Sequence, residues 1–318
     1  MKNYIPKIVL AAVLLGALSI PSFTPKYILH LVIYIMIISI AVMGLGILGV
    51  SGQISNAQGA FYGIGAYTSA LLSVRMGVSF WASLLIVILF ACVVGFVVGL
   101  PTIKVSGLYL IMTTLGVNEI IYLIMMNNIT LTNGPQGVSR IPGPSLFGFT
   151  FKSMPSYFYL CYAFLLFFAL LSIRIYRSRL GNYFIAVKNS EIASNMNGVN
   201  VVKTKLTAFM ISAVYGGVAG ALYSGYIGYI HPDNFKTDVS VLFLTMSIFG
   251  GQRSVVGMLC ATTILTIATE YFRFIGEYRL IAYGLVLILG MIYMPEGIGG
   301  KFVQLKNLVK AGKQHDKG

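Results

Sequence analysis

Apolar runs occupy positions 5–20, 27–50, 60–74, 79–100, 107–127, 156–175, 204–230, 238–250, 255–275 and 279–294 of this chain. A helix that crosses a bilayer needs roughly 20 apolar residues, because it rises about 1.5 Å per residue through a hydrocarbon core about 30 Å thick. Most of the runs approach that length. Runs 60–74 and 238–250 fall short and read as broken or re-entrant segments. The pattern predicts an all-α polytopic membrane protein of about ten transmembrane helices. The first run follows Lys2 and Lys7 in the manner of a signal peptide, but its end, SIPSFTP, has no small-x-small cleavage site, so it reads as a retained helix.

Two polar stretches interrupt the apolar pattern. Gln53, Ser55, Asn56 and Gln58, with Gly59, separate 27–50 from 60–74, and GGQRS at 250–254 separates 238–250 from 255–275. Both have the order small–Gly–Gln–x–Ser, Ser51 to Ser55 and Gly250 to Ser254, which predicts an internal repeat. Unwound backbone at membrane depth is tolerated where protein or water satisfies it, so such breaks mark binding sites in transporters. An ordinary tight turn at the membrane surface gives the same pattern.

Composition agrees with a bilayer setting. The apolar set makes up 57% and charged residues 9% of 318 residues, and mean hydropathy is +0.86. Twenty-two basic and eight acidic side chains cannot cover a water-soluble surface of this size. The net charge of +14 sits in the gaps between apolar runs, where it sets topology and does not form a nucleic-acid footprint. The connector 174–205 carries Arg174, Arg177, Arg179, Lys188, Lys203 and Lys205 against Glu191, and the tail carries Lys301, Lys306, Lys310, Lys313 and Lys317. Both are expected in the cytoplasm. The even span counts on either side of the connector then place the N-terminus inside as well, and the weakly charged 128–155 outside. The predicted organisation is a transmembrane domain over 1–300, with 174–205 as its cytoplasmic connector, and a basic cytoplasmic tail over 301–318.

No constellation supports catalysis. GLGILG at 44–49 fits GxGxxG formally but lies within an apolar helix with no preceding strand, so its glycines read as helix packing. Cys92, Cys161 and Cys260 lie singly in apolar runs, without metal or disulfide spacing. His30, His231 and His315 are scattered, and no GxxxxGK[ST] phosphate loop is present, so neither a cofactor nor a metal is expected. Ser212, Gly216, Gly220, Ser224 and Gly228 recur every four residues and predict a small-residue ridge that lets another helix approach closely. Glu119 falls mid-run beside Thr114 and Asn118, where a carboxylate is costly. It could bind a substrate ammonium, carry protons or accept a structural hydrogen bond. Residues 183–197 fit a short helix with Ile185, Ile192, Ala193 and Met196 on one side, ended by Gly198, able to enter a partner's groove or to lie on lipid headgroups.

Four stretches carry a family resemblance: GILGVSGQISNAQGAFYGIGAYTSALL, TLTNGPQGVSRIP, RSRLGNYFIAVKNSEIASNMNGVNVVKTKLTAF and HPDNFKTDVSVLFLTMSIFGGQRSVVG. Over about 27–295 the chain resembles the LivH/LivM permeases of bacterial branched-chain amino-acid ABC importers, with the M-type subunit the nearer. The resemblance implies an inner-membrane translocation subunit for leucine, isoleucine and valine. It implies as partners a second, LivH-type permease, two cytoplasmic subunits that bind the ATP, and an extracytoplasmic substrate-binding protein. It also implies that 183–198 couples to the ATPases through Ala186, Asn189, Glu191, Ala193 and Gly198. The sequence departs from the family pattern at Lys188, where arginine is common, and at 250–254, where G-G-x-G-S is common. Related permeases carry urea, amides or sugars on the same framework. A proton- or cation-coupled secondary transporter built on Glu119 is the rival expectation.

Overall fold

The computed structural model describes residues 25–146, 149–151 and 153–271. The predicted runs 5–20 and 279–294, and the tail, lie outside the described residues. The other predicted runs are all helices. These are α1 (Lys26–Val50), α2 (Gln58–Arg75), α3 (Phe80–Thr102), α4 (Leu108–Asn127), α6 (Met154–Arg177), α9 (Val201–Ile227), α10 (Thr237–Gly250) and α11 (Val255–Tyr271). A single turn, α5 (Ile129–Thr132), follows α4, and α7 (Arg179–Asn189) and α8 (Glu191–Met196) form the connector. By length and composition, α1, α3, α4, α6 and α9 are able to cross a membrane.

Among the described residues, strands are confined to two-residue clips. β1 (Val138–Ser139) pairs antiparallel with β4 (Tyr229–Ile230), and β2 (Ser145–Leu146) with β3 (Phe149–Thr150). The first clip ties the 128–153 excursion to the end of α9.

Helices α1 and α9 form the centre. Every residue of α1 from Ile35 to Val50 is buried, as expected of a helix that is apolar all round. The predicted ridge on α9 does what its spacing implies: a Cβ on Gly220 would overlap the Tyr62 carbonyl of α2, and beside the ridge a Cβ on Gly65 of α2 would overlap the Gly217 carbonyl. Lipid tails are as apolar as leucine side chains, so this close van der Waals contact supplies cohesion that hydrophobic burial does not. The GLGILG glycines likewise pack: Gly44 faces Tyr215, Gly46 faces Met258 and Gly49 faces Gln252. By contrast, α3 and α4 leave long apolar faces open, among them Leu85, Leu89, Val93, Met112, Ile120 and Ile124.

The two Gly-Gln turns share one geometry. Gly52 takes φ +82 and Gly251 φ +80, each just after the end of its helix. The amides of Gly52 and Gly251 return to Gly49 and Ile248 carbonyls. Both turns lie together, with the Gln252 side chain against Gly49 and the Gln252 backbone carbonyl accepting from the Tyr176 hydroxyl. Stretch 250–254 is a tight cap, in which Ser254 Oγ accepts the Gly257 amide to start α11. Stretch 51–57 is longer and leads elsewhere.

The connector corrects one expectation. Residues 183–197 do not form a single helix, because Ser190 is extended (φ −162, ψ 114) and its hydroxyl caps α8 by accepting the Ala193 amide. Serine competes with the helix for its own backbone, so it starts a new helix more readily than it continues an old one. Ser178 caps α7 and Asn200 caps α9 in the same way. Gly198 ends the pair at φ +78, as its position predicts.

Candidate functional site

Helix α4 buries few of its residues, yet it carries a polar stripe that is closed off. Thr114 and Asn118, one turn apart, are both fully buried. Two helix beginnings meet there. Helix α2 starts at Gln58 and α10 at Thr237, and each leaves first-turn amides that its own helix cannot satisfy.

The hydrogen bonds between them run in one direction. The Gly59 amide donates to Ser240 Oγ (2.6 Å), which donates to Asn118 Oδ1 (2.9 Å). Asn118 Nδ2 donates to Thr237 Oγ1 (3.3 Å), which donates to Glu119 Oε2 (3.0 Å). Just upstream, the Asn56 amide donates to Thr114 Oγ1 (2.8 Å). One asparagine thus joins the starts of α2 and α10 and ends the chain on a carboxylate. Asn56 Oδ1, buried beside this junction, has no hydrogen-bond partner among the described residues. An orphaned buried acceptor costs about 1–3 kcal/mol, and such atoms persist where a function uses them.

Three residues on, each helix places an aromatic ring. Tyr62 and Phe243 meet edge to face with ring centroids 5.4 Å apart, and Phe235 and Tyr223 lie against Tyr62 at 5.5 and 5.4 Å. The junction is therefore polar at Gly59, Ser240 and Asn118 and apolar immediately beside them. At the start of α10, Lys236 pairs with Asp233 (3.0 Å), which also accepts from Tyr122 (3.0 Å). The Lys236 ammonium holds the Asp233 carboxyl below its ordinary range.

Of the residues singled out in the sequence, Asn56, Gly59, Thr114, Asn118 and Glu119 come together. Gln58 turns away: its carboxamide donates to the Ala41 carbonyl (2.8 Å) and accepts from Ser212 Oγ (3.0 Å), pinning α2 to α1 and α9. Ser55 accepts the Ala57 amide within its own turn. Gln53 lies apart, against Lys205. Thr237 and Ser240, which complete the junction, were not singled out. Their signal is modest, two hydroxyls three apart at the head of a short apolar run.

In the connector, α7 buries Phe184 and Val187 and leaves Asn189 exposed and Ala186 half-buried. Helix α8 exposes Ala193, Ile192 and Met196, the last two at 73% and 83%. Glu191 points to its own chain, at 2.6 Å from Lys205. A separate cavity of about 780 Å³ opens among His30, Arg140, Ser145, Tyr157, Tyr226 and Gly228, away from the junction. No cluster of three or more histidine, cysteine, aspartate or glutamate side chains able to hold a metal occurs among the described residues.

Comparison with known proteins places this architecture. The family model described as "Branched-chain amino acid transport system / permease component" matches residues 27–294. The high-affinity branched-chain amino acid transport system permease protein LivM of Escherichia coli is 33% identical over 335 aligned positions, covering 97% of this chain and 79% of the relative. The protein of the same name from Salmonella typhimurium is 33% identical, over 92% of this chain and 74% of its own. A probable branched-chain amino acid transport permease protein LivH of Methanocaldococcus jannaschii is 26% identical, over 87% of this chain and 93% of its own. No solved structure matches the chain. Its helical architecture, its apolar composition and these matches agree, and the chain belongs to the family of branched-chain amino acid transport system permeases.

Proposed function

We propose that this chain is the translocation subunit of an ABC importer for leucine, isoleucine and valine, driven by ATP hydrolysis in separate subunits. The meeting of α2 and α10 at Asn118 carries the reading. Helix beginnings present a partial positive charge, which suits the carboxylate of an amino acid. Glu119, at the end of the hydrogen-bond chain, suits its ammonium. Tyr62, Phe235 and Phe243 offer aromatic faces to a branched side chain, with the Tyr62 hydroxyl as the polar atom among them. The names of the LivM relatives support the same substrate class.

The junction is packed, so passage requires α2 and α10 to part at Ser240 and Asn118. Of the five connector positions expected to couple to the ATPases, Ala186, Asn189, Ala193 and Gly198 form the ATPase side, with Ile192 and Met196 as its apolar edge. Glu191 acts from within the chain through its pair with Lys205. A sister permease of the H type, two ATPase subunits and an extracytoplasmic binding protein complete the assembly, with the chain in a bacterial inner membrane and the connector and both termini in the cytoplasm.

The test is uptake by the assembled importer carrying Asn118→Leu or Ser240→Ala. Each change removes buried hydrogen bonds worth about 0.5–1.5 kcal/mol, so uptake should fall about tenfold. Binding-protein affinity for the free amino acid should not change. Wild-type uptake by Asn118→Leu would remove the junction from the substrate path.

A further inference from the structure

Lys205 sits in the second turn of α9 at 5% exposure, and three elements converge on it. Its ammonium makes a 2.6 Å ion pair with Glu191, the first residue of α8. It also reaches the Ile103 carbonyl at the end of α3, at 3.5 Å. The Lys205 carbonyl accepts from Gln53 Nε2 at 3.2 Å, and the same carboxamide donates to Ser51 Oγ at 2.9 Å. Beside this, Gly52 lies against the end of α7: a Cβ there would stand 3.2 Å from Lys188 Cα.

The connector thus reaches the 51–57 stretch by two routes, directly through Lys188 of α7 against Gly52 and indirectly through Glu191 of α8, by way of Lys205 on α9. That stretch runs on to Asn56 and Gly59 at the junction, so α7 and α8 are joined to the start of α2 by a short, continuous path. A buried ammonium left without its carboxylate is strongly disfavoured, which ties α8 to one position on α9. Among the described residues Gln53 Oε1 is buried and without a partner, and Gln53 is held there through its donor side.

We infer that Glu191, Lys205 and Gln53 form a latch that holds the connector in register with the 51–57 stretch. The latch delivers a displacement of α7 and α8 to the amino end of α2. Glu191 and Lys205 are positioning residues, acting through Gln53 and touching neither substrate nor ATPase. The inference rests on the importer reading, because it supposes a partner that displaces the connector.

The experiment measures amino acid taken up per ATP hydrolysed in proteoliposomes holding the complete importer. Glu191→Gln should lower that ratio about tenfold while hydrolysis stays within about twofold of wild type. Glu191→Lys alone should do the same or worse, and adding Lys205→Glu should restore the ratio to within about threefold of wild type by reversing the pair. A reversed pair no better than Glu191→Lys would overturn the latch. So would a Glu191→Gln importer that lost hydrolysis together with uptake, which is the mark of a direct ATPase contact. Glutamate at a buried position can hinder folding, so Glu191→Met with Lys205→Met is a second test. Normal coupling in that apolar pair overturns the latch, and ATP hydrolysis with little uptake supports it. A wild-type importer without ATP-driven uptake would instead overturn the importer reading itself.

Discussion

Gly65 and Gly116 show how far one methyl group can differ in consequence within the same bundle. A Cβ at Gly65 would overlap the Gly217 carbonyl of α9, and backbone cannot yield as a flexible side chain can, whereas at Gly116 nothing lies within 4 Å. Gly65→Ala should therefore destabilise the chain by about 1–3 kcal/mol through overpacking. Gly116→Ala should be neutral or gain up to about 1 kcal/mol from helix propensity. Thermal unfolding of the two variants in one detergent checks this, and equal midpoints would show that α2 and α9 do not cross as closely as described. The ridge on α9 was legible in the sequence because a four-residue spacing of small side chains has one common use in a helix. Lys205 was not. Among the cations of 174–205 it looks like any topology signal, and only the fold shows that it is buried against Glu191 and the end of α3.

Helices were legible to within a few residues, because apolar length is a direct consequence of bilayer thickness. The exceptions are the places where hydroxyl side chains compete with that signal. Ser190 divides the connector into α7 and α8, and Thr237 and Ser240 make the head of α10 part of a polar junction with α4. Sequence order could not bring 56–59, 114–119 and 237–240 together, since they lie on separate helices and meet only through the packing of α2, α4 and α10. The division of the chain around α6 has a direct test. Among the described residues between Ser145 and Met196, a single helix, α6, is long and apolar enough to cross a membrane. With the native cysteines replaced, Ser145→Cys and Met196→Cys should react with a membrane-impermeant thiol reagent from opposite sides. Ser145 and Met196 are both exposed, so access is not the limit. Reaction of both from the same side would mean that α6 does not span, and would return the connector to the face occupied by 128–155.

Energy source decides between the two ways in which the whole molecule could move a substrate. Glu119 is half-buried near the middle of α4 and accepts a hydrogen bond from Thr237 Oγ1 at 3.0 Å. A carboxylate at that depth is the expected proton or cation site of a secondary transporter. In an importer driven from outside, the same group would orient the junction and meet the substrate ammonium, and no proton would have to move. Replacing Glu119 alone does not separate these, because Glu119→Gln weakens the Thr237 contact in both cases. Dissipating the proton gradient with ATP held constant does separate them. Uptake through the complete importer should continue at its normal rate after the gradient collapses and should stop when ATP is withdrawn. In Glu119→Gln, uptake should be lower but should keep the same indifference to the gradient, because glutamine still accepts from Thr237 while losing the charge that faces the ammonium. A gradient-dependent, ATP-independent uptake by this chain alone in liposomes would make Glu119 a transport site in its own right. It would also leave Ile192 and Met196, exposed on α8, to lie on lipid headgroups with no partner's groove to enter.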